Sequence, residues 1–299
     1  MNAARSNLQI DGATGAAVIY GDPVAHSASP AMHNAAYAAL KMNRVYLAFR
    51  VLAPRLRSAL DAIDSLGLAG ANITVPHKES AARAIMGRRN AQLSAEAYAL
   101  GAVNAIANRH GTLLGDNTDA RGLEADLRAL RCAPRGGTAI VIGAGGAAAA
   151  AVLALARLGA VRIVLANRTV KRAANLGRRI TEAHRHTLQI DPCGLDALKD
   201  SKLMAEARVI VNASAMGLAT RRFAPLAYGA APAECLFYDL IYSAKPTAFL
   251  KPAIAAGRRT ADGAGMLAAQ GELSFQLFNG VAPPRGVMRA ALMKYLGRK

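Results

Sequence analysis

The sequence predicts an α/β protein of two domains, the first built on a mostly parallel sheet and the second doubly wound. Three observations predict it. Short apolar runs alternate with helical stretches along nearly the whole chain. A strand, a glycine loop, a helix and a second strand follow in that order between Thr138 and Ala166. The length of 299 residues corresponds to two domains at roughly 150 residues each.

In chain order, residues 16–20 read as a strand closed by the turn Gly21-Asp22-Pro23. Ser29 reads as the N-cap of a helix over 30–40, with Pro30 at its first position. Residues 45–51 alternate like a strand. Pro54 opens a helix that carries Leu56, Leu60 and Ile63 and ends near Gly67. Residues 68–75 and 102–107 are two more strands, and their C-terminal ends are expected to converge. After Asp119, a helix with Leu123, Leu127 and Leu130 leads to a Pro/Gly loop at 133–137. A buried strand over 138–142 then runs into Gly143-Ala144-Gly145-Gly146-Ala147-Ala148, an Ala/Leu helix ending at Leu158 and Gly159, and a strand over 161–166. Strands over 208–212 and 236–241 extend this sheet. From Ala264 the chain reads as helical, with a break at Pro283-Pro284.

Composition removes several classes. A hydrophobic share of 53% against 19% charged residues excludes a disordered chain. Cys132, Cys193 and Cys235 lie too far apart for a disulfide framework or a zinc site, so they read as small buried hydrophobes in a reducing compartment and no metal is expected. Residues 1–15 lack an apolar signal region, and the longest apolar run, 147–156, is far short of the roughly 18–20 residues that span a bilayer. A cytoplasmic protein without membrane contact is expected. The formal charge of +18 is concentrated in residues 121–261, with 21 basic against 9 acidic side chains. It is scattered in pairs such as Arg178–Arg179, Arg221–Arg222 and Arg258–Arg259, without interleaved aromatic rings for base stacking. It therefore reads as a solvated basic surface, or as a field for a phosphorylated small ligand, and no nucleic-acid partner is expected.

Four segments carry chemistry. In the glycine loop, Gly143 permits a tight turn, Gly145 lets the backbone approach a pyrophosphate, and the helix N-terminus behind them offers unpaired N–H groups. Where an NAD site places a carboxylate on the ribose, this chain reads Asn167-Arg168-Thr169-Val170-Lys171-Arg172. Arg168 and Arg172 suit a 2′-phosphate, and Thr169 can donate to the same group, so NADP is the expected cofactor of a Rossmann-like domain. The run Ala71-Asn72-Ile73-Thr74-Val75-Pro76-His77-Lys78 presents Asn72, Thr74 and Lys78 near the end of a strand, while His77 reads as structural or peripheral, with nothing pairing with it. Gly115-Asp116-Asn117-Thr118-Asp119 supplies a carboxylate, though Thr118 or Asp119 also suits a plain helix cap. Ser27 and Ser29, in His26-Ser27-Ala28-Ser29-Pro30, fit either a carboxylate cradle at a helix N-terminus or simple capping.

Taken together and in order, these segments, with Gly101-Ala102-Val103-Asn104 and Ala261-Asp262-Gly263-Ala264-Gly265-Met266-Leu267, resemble the shikimate dehydrogenase family over nearly the whole chain. The resemblance implies a substrate-binding domain over 1–120 with 262–299, and an NADP-binding domain over 121–261. It implies NADP-dependent, reversible reduction of 3-dehydroshikimate to shikimate, on the route to chorismate and the aromatic amino acids. Ser27 and Ser29 are then expected to hold the substrate carboxylate. Thr74, Asn104 and Asp119 would bind ring hydroxyls, Tyr242 and Gln270 complete the pocket, and Lys78 with Asp119 form the catalytic pair. Gly143, Ala144, Gly145, Gly146, Ala147, Asn167, Arg168, Thr169 and Arg172 would bind NADP, with Leu240 and Gly263 beside the nicotinamide. A monomer or a homodimer is expected. The chain departs from common family patterns at Ala95, Ala120, Leu240 and the loop Ser243-Ala244-Lys245-Pro246.

A quinate/shikimate dehydrogenase shares the Lys–Asp pair, but its NAD-using members tend to carry an acid where this chain has Asn167-Arg168-Thr169. A non-catalytic NADP sensor has no need of Lys78 and Asp119. Glutamyl-tRNA reductase needs an early catalytic cysteine, and the first here is Cys132.

Overall fold

The computed structural model describes residues 10–183, 188–217 and 222–298. Arg221, one half of a basic pair noted above, and residues 1–9 of the N-terminal stretch lie outside them. The chain forms two compact units, Met1–Thr118 with Gln270–Lys299, and Asp119–Ala269.

The first unit runs β1 (Gly15–Gly21), α1 (Ser29–Ala39), β2 (Arg44–Arg50), α2 (Leu56–Ser65), β3 (Gly70–Ile73), α3 (Lys78–Met86), β4 (Ala91–Leu93), α4 (Ala95–Leu100), β5 (Ala105–Arg109) and β6 (Thr112–Asp116). Its six strands lie in the order β2-β1-β3-β5-β6-β4. All pairs are parallel except β3 with β5 and β5 with β6. This corrects the expected convergence of two C-terminal strand ends. Because β5 runs backwards, it is its N-terminal start that meets the end of β3, with Asn72 opposite Ala105, and Ala105 opposite Asp116 at the end of β6. The hairpin is made by His110 and Gly111, both at positive φ (51° and 86°), the two-residue turn whose twist matches antiparallel strands. The core on one face contains Leu60, Ile63, Ile73, Ile85 and Ile106. Ala28, not Ser29, precedes α1, and Ser29 is the first helical residue.

The second unit runs α5 (Asp119–Ala129), β7 (Thr138–Ile142), α6 (Gly146–Arg157), β8 (Arg162–Ala166), α7 (Val170–Ala183), β9 (Gln189–Cys193), α8 (Ser201–Glu206), β10 (Ala207–Asn212), β11 (Leu236–Asp239), α9 (Leu250–Ala255) and β12 (Arg259–Asp262). α10 (Ala264–Asn279) carries the chain from this unit back to the first, which α11 (Val287–Tyr295) completes. The six strands are all parallel, in the order β12-β11-β10-β7-β8-β9. That is the doubly wound order, with its switch point between β7 and β10. Eight consecutive residues of α6, Ala148–Leu155, are buried, and five of them are alanine, so little side-chain bulk separates the helix from its neighbours. The core includes Ile140, Ile142, Ile210, Phe237 and Phe249. Among the described residues, no helix is long and apolar enough to cross a membrane.

Candidate active site

In the first unit the chemistry-bearing segments meet at one end of the sheet. Asn104, just before β5, is buried and takes part in a polar cluster with residues from distant segments. Its side-chain amide donates to the Thr118 hydroxyl (2.9 Å) and to Gln270 Oε1 (3.4 Å), and its Oδ1 accepts from the Thr118 amide (2.7 Å). The Thr118 hydroxyl also donates to Gln270 Oε1 (3.4 Å) and shares a hydrogen bond with the Ser274 hydroxyl (3.2 Å). Thr118 thus joins segments and is more than a local cap. Asn72 donates to the Asn104 carbonyl and to Ser274 Oγ, both at 3.0 Å, and accepts from the Tyr46 hydroxyl (2.7 Å). Buried polar groups satisfied in this way hold one arrangement, because each broken bond leaves a desolvated partner behind.

The same end of the sheet fixes the neighbouring residues. Ser94 Oγ and the Asn117 amide both donate to Asp116 Oδ1, and the Asn117 side chain donates to the Ala102 carbonyl. This knot delivers Asp119, buried, as the first residue of α5. Lys78 is half-buried, opens α3, and accepts at its carbonyl from the Val103 amide (3.0 Å). A cation at a helix N-terminus faces the unfavourable end of the macrodipole, so helix stability does not account for it. Thr74 is half-buried, and a Cβ on Gly21 would lie 2.3 Å from its methyl group, so the end of β1 is shaped around this side chain. His77 is buried with Nε2 2.6 Å from the Val51 carbonyl, which makes it structural as expected but corrects the expectation that nothing pairs with it. Ser27 Oγ accepts from the Ser29 amide (3.2 Å), and the Ser29 hydroxyl makes no side-chain cap on α1. An aromatic layer, with His33 stacked on Tyr46 at 4.1 Å and Tyr37 against Phe275 at 5.0 Å, seats the end of α10 that carries Gln270 and Ser274.

In the second unit, Gly143 follows β7 at φ +126°, and a Cβ there would stand 2.8 Å from the Ala213 carbonyl oxygen at the end of β10. The loops on either side of the switch point therefore touch, and only glycine fits. Gly145 caps α6 with open space around it and no side-chain cap bond, while Ala144, Gly146 and Ala147 are half-buried. The first-turn N–H groups of this 12-residue helix are thus presented beside a surface with no side-chain bulk, which fits a pyrophosphate. Arg168, Thr169 and Arg172 are exposed after β8, and the Asn167 side chain donates to the Thr169 carbonyl (2.9 Å), shaping the turn. Leu240 follows β11, and Gly263 opens the turn into α10. A Cβ on Gly263 would lie 2.2 Å from the Leu240 carbonyl oxygen. Tyr242 is half-buried in the loop after β11, where Ser243 Oγ donates to the Lys245 carbonyl.

Family models match three stretches: a shikimate dehydrogenase substrate binding domain over residues 19–106, a shikimate/quinate 5-dehydrogenase over 130–217, and a shikimate 5′-dehydrogenase C-terminal domain over 263–293. The shikimate dehydrogenase (NADP(+)) of Citrifermentans bemidjiense is 39% identical over 289 residues, covering 95% of this chain and 97% of that protein. The chain belongs to the shikimate dehydrogenase family. The Thermus thermophilus shikimate 5-dehydrogenase, solved with NADP(H) and shikimate, is 34% identical with a TM-score of 0.80, covering 94% of this chain and all of that one. A Corynebacterium glutamicum quinate dehydrogenase solved with NAD is 27% identical with a TM-score of 0.84, covering 94% and 99%.

Within this shikimate dehydrogenase fold, sequence reasoning missed the residues that hold the motifs in place. Ser274 and Tyr46 lie in no motif, and their spacing from Asn72 carries no local signal. The same holds for Asp239 at the end of β11. It is buried, accepts from Asn212 (2.8 Å) and Thr247 (2.6 Å), and is pushed up to about 6 by burial, against the opposing pull of these donors. Cys132 and Cys235 are buried, and burial raises both thiols, Cys235 to about 12, which fits inert packing.

Proposed function

We propose that this shikimate dehydrogenase reduces 3-dehydroshikimate to shikimate reversibly with NADP, in the pathway to chorismate and the aromatic amino acids. The observation that carries the reading is the buried Asn104–Thr118–Gln270 cluster, which joins two family motifs to Gln270 of α10 at one end of the first sheet and orders the turn into Asp119. When bound, the cofactor supplies the hydride that adds to the C3 carbonyl carbon. The chain's own residues do the rest. Ser27 and Ser29 hold the substrate carboxylate with hydroxyls at the start of α1, and so fix which ring face is presented. Thr74, Asn104, Asp119, Gln270 and Tyr242 bind the ring hydroxyls and complete the pocket. Lys78 and Asp119 deliver the proton to the C3 oxygen as the carbonyl becomes a hydroxyl, and take it back in the reverse direction. The α6 N-terminus with Gly143–Ala147 binds the pyrophosphate, Asn167, Arg168, Thr169 and Arg172 the 2′-phosphate, and Leu240 and Gly263 line the nicotinamide. Residues 1–120 with 262–299, apart from the turn that carries Gly263, serve the substrate, and 121–261 with that turn the cofactor. The protein acts in the cytoplasm on a small molecule, as monomer or homodimer, without nucleic acid.

Measured by reduced-cofactor formation with shikimate and quinate, each with NADP and NAD, the shikimate–NADP combination gives the highest kcat/KM. Equal rates with quinate would favour the broader quinate/shikimate reading instead. No turnover with either acid would overturn the enzyme assignment.

A further inference from the structure

At the C-terminal edge of the second sheet lies a polar unit outside the motif residues. Asp239, the last residue of β11, is 1% exposed. Its Oδ1 accepts from the Asn212 side chain at the end of β10 (2.8 Å) and from the Ile241 amide (3.1 Å). Its Oδ2 accepts from Thr247 Oγ1 (2.6 Å), which in turn accepts from the Leu250 amide (3.3 Å) at the start of α9. Asn212 extends the unit, since its Oδ1 accepts from both the amide and the hydroxyl of Ser214. One carboxylate therefore ties the ends of two strands to both ends of the loop between Asp239 and Leu250. The residue it flanks is Leu240, whose amide donates to the Asn212 carbonyl (2.9 Å) and whose carbonyl meets the backbone of Gly263 so closely that no Cβ fits.

We propose that Asp239 and Thr247 are positioning residues for hydride transfer, holding Leu240 and the loop that carries Tyr242 in the register the nicotinamide requires. The inference rests on the shikimate dehydrogenase reading above. Fold stability alone does not call for this carboxylate. Burial pushes its pKa up to about 6, partly offset by the bonds from Thr247, Ile241 and Asn212, with Asp262 adding to the rise. Ionising such a group at neutral pH costs stability, and a neutral amide acceptor in its place would avoid that cost. The bonds it makes converge on a loop, not on a helix or strand interior. Geometry held in this way matters where small displacements are felt strongly in rate.

The test is Thr247→Val, which keeps the shape and removes the hydroxyl, beside Thr247→Ser, which restores it, and Asp239→Asn as a second isosteric route should Thr247→Val fail to fold. In the full-length protein, Thr247→Val and Asp239→Asn lower kcat by roughly tenfold, while the shikimate KM and the NADP Kd from calorimetry stay within about twofold, because Ser27, Ser29 and Arg168 are untouched. Amide hydrogen exchange over 240–247 accelerates with or without NADP, and Thr247→Ser recovers both kcat and protection. Unchanged kcat in both isosteric variants overturns the inference and leaves the enzyme reading intact. So does a parallel loss of kcat, NADP affinity and thermal stability that Thr247→Ser does not repair. A native protein that turns over no shikimate with NADP overturns both.

Discussion

Gly263 offers the sharpest test of the proposed cofactor-side wall. An added Cβ would lie 2.2 Å from the Leu240 carbonyl oxygen, 2.7 Å from its carbonyl carbon and 3.2 Å from its Cα. All three are backbone atoms, so no rotamer change relieves the contact. Ordinary contact begins near 3.4 Å, and Gly263→Ala must therefore push the Leu240 backbone and the 263–264 turn apart by about 1.2 Å. Overpacking of this kind costs roughly 1–3 kcal/mol. At about 2–4 °C per kcal/mol for a unit of this size, the melting temperature falls by roughly 2–12 °C. The catalytic effect is larger. A misplacement of about 1 Å beside the reacting carbon lowers kcat on the order of 10²-fold, whereas NADP affinity, assigned in the proposed function to the glycine loop and Arg168, changes little. Steady-state kinetics with shikimate and NADP, calorimetric titration of NADP and a thermal melt read the three quantities separately. A folded Gly263→Ala protein with kcat within threefold of native and an unaltered melt would refute the steric argument and the placement of Leu240 beside the nicotinamide.

Lys78→Ala lowers kcat by roughly 10²–10⁴-fold with little change in shikimate KM, and native turnover by this variant ends the proton-transfer role. Ser27→Ala combined with Ser29→Ala raises the shikimate KM by about tenfold or more, from lost hydrogen bonds to a charged group, and leaves the NADP Kd unchanged. An unaltered KM returns both serines to local structure. Arg168→Ala removes about 1.5–3 kcal/mol of preference for NADP over NAD while activity with NAD is kept; a native protein equally efficient with both cofactors contradicts it. His33 is buried against Tyr46 with Nδ1 lacking a hydrogen bond, and burial depresses its pKa to about 3. The unfolded chain therefore takes up a proton first as pH falls below about 6.5, and at pH 5 this removes about 2 kcal/mol of stability. In His33→Phe the loss of stability between pH 7.5 and pH 5, read from urea midpoints, is smaller by that amount, and an identical loss in both proteins refutes it.

What the sequence by itself determined is local. A continuous apolar run marks β1 and alternating apolar positions mark β2, 3.6-residue spacing marks α2 and α5, and the run from Thr138 to Ala166 declares a strand, a glycine loop opening a helix and a second strand. Residue chemistry at Asn167-Arg168-Thr169 points to NADP from the amino-acid sequence alone. β9 went unread because Pro192 interrupts its pattern, which an edge strand tolerates since it pairs on one side only. β6 escaped because its hairpin turns on His110-Gly111, with an L residue at positive φ where Asn or Asp is the usual signal. The reversed direction of β5 follows from pairing across the sheet, and it decides that Asn104 meets the end of β3 from the start of its strand. The same is true of the residues that hold the site. Asn72 bonds to Ser274 from 202 positions away and Asn212 to Asp239 from 27, and neither pair shares a turn or a period. Backbone propensity acts over a few residues and is written in them; a buried polar side chain finds its partner only once folding has excluded water and brought distant segments together, and so the tertiary structure alone decided how the motif residues are held.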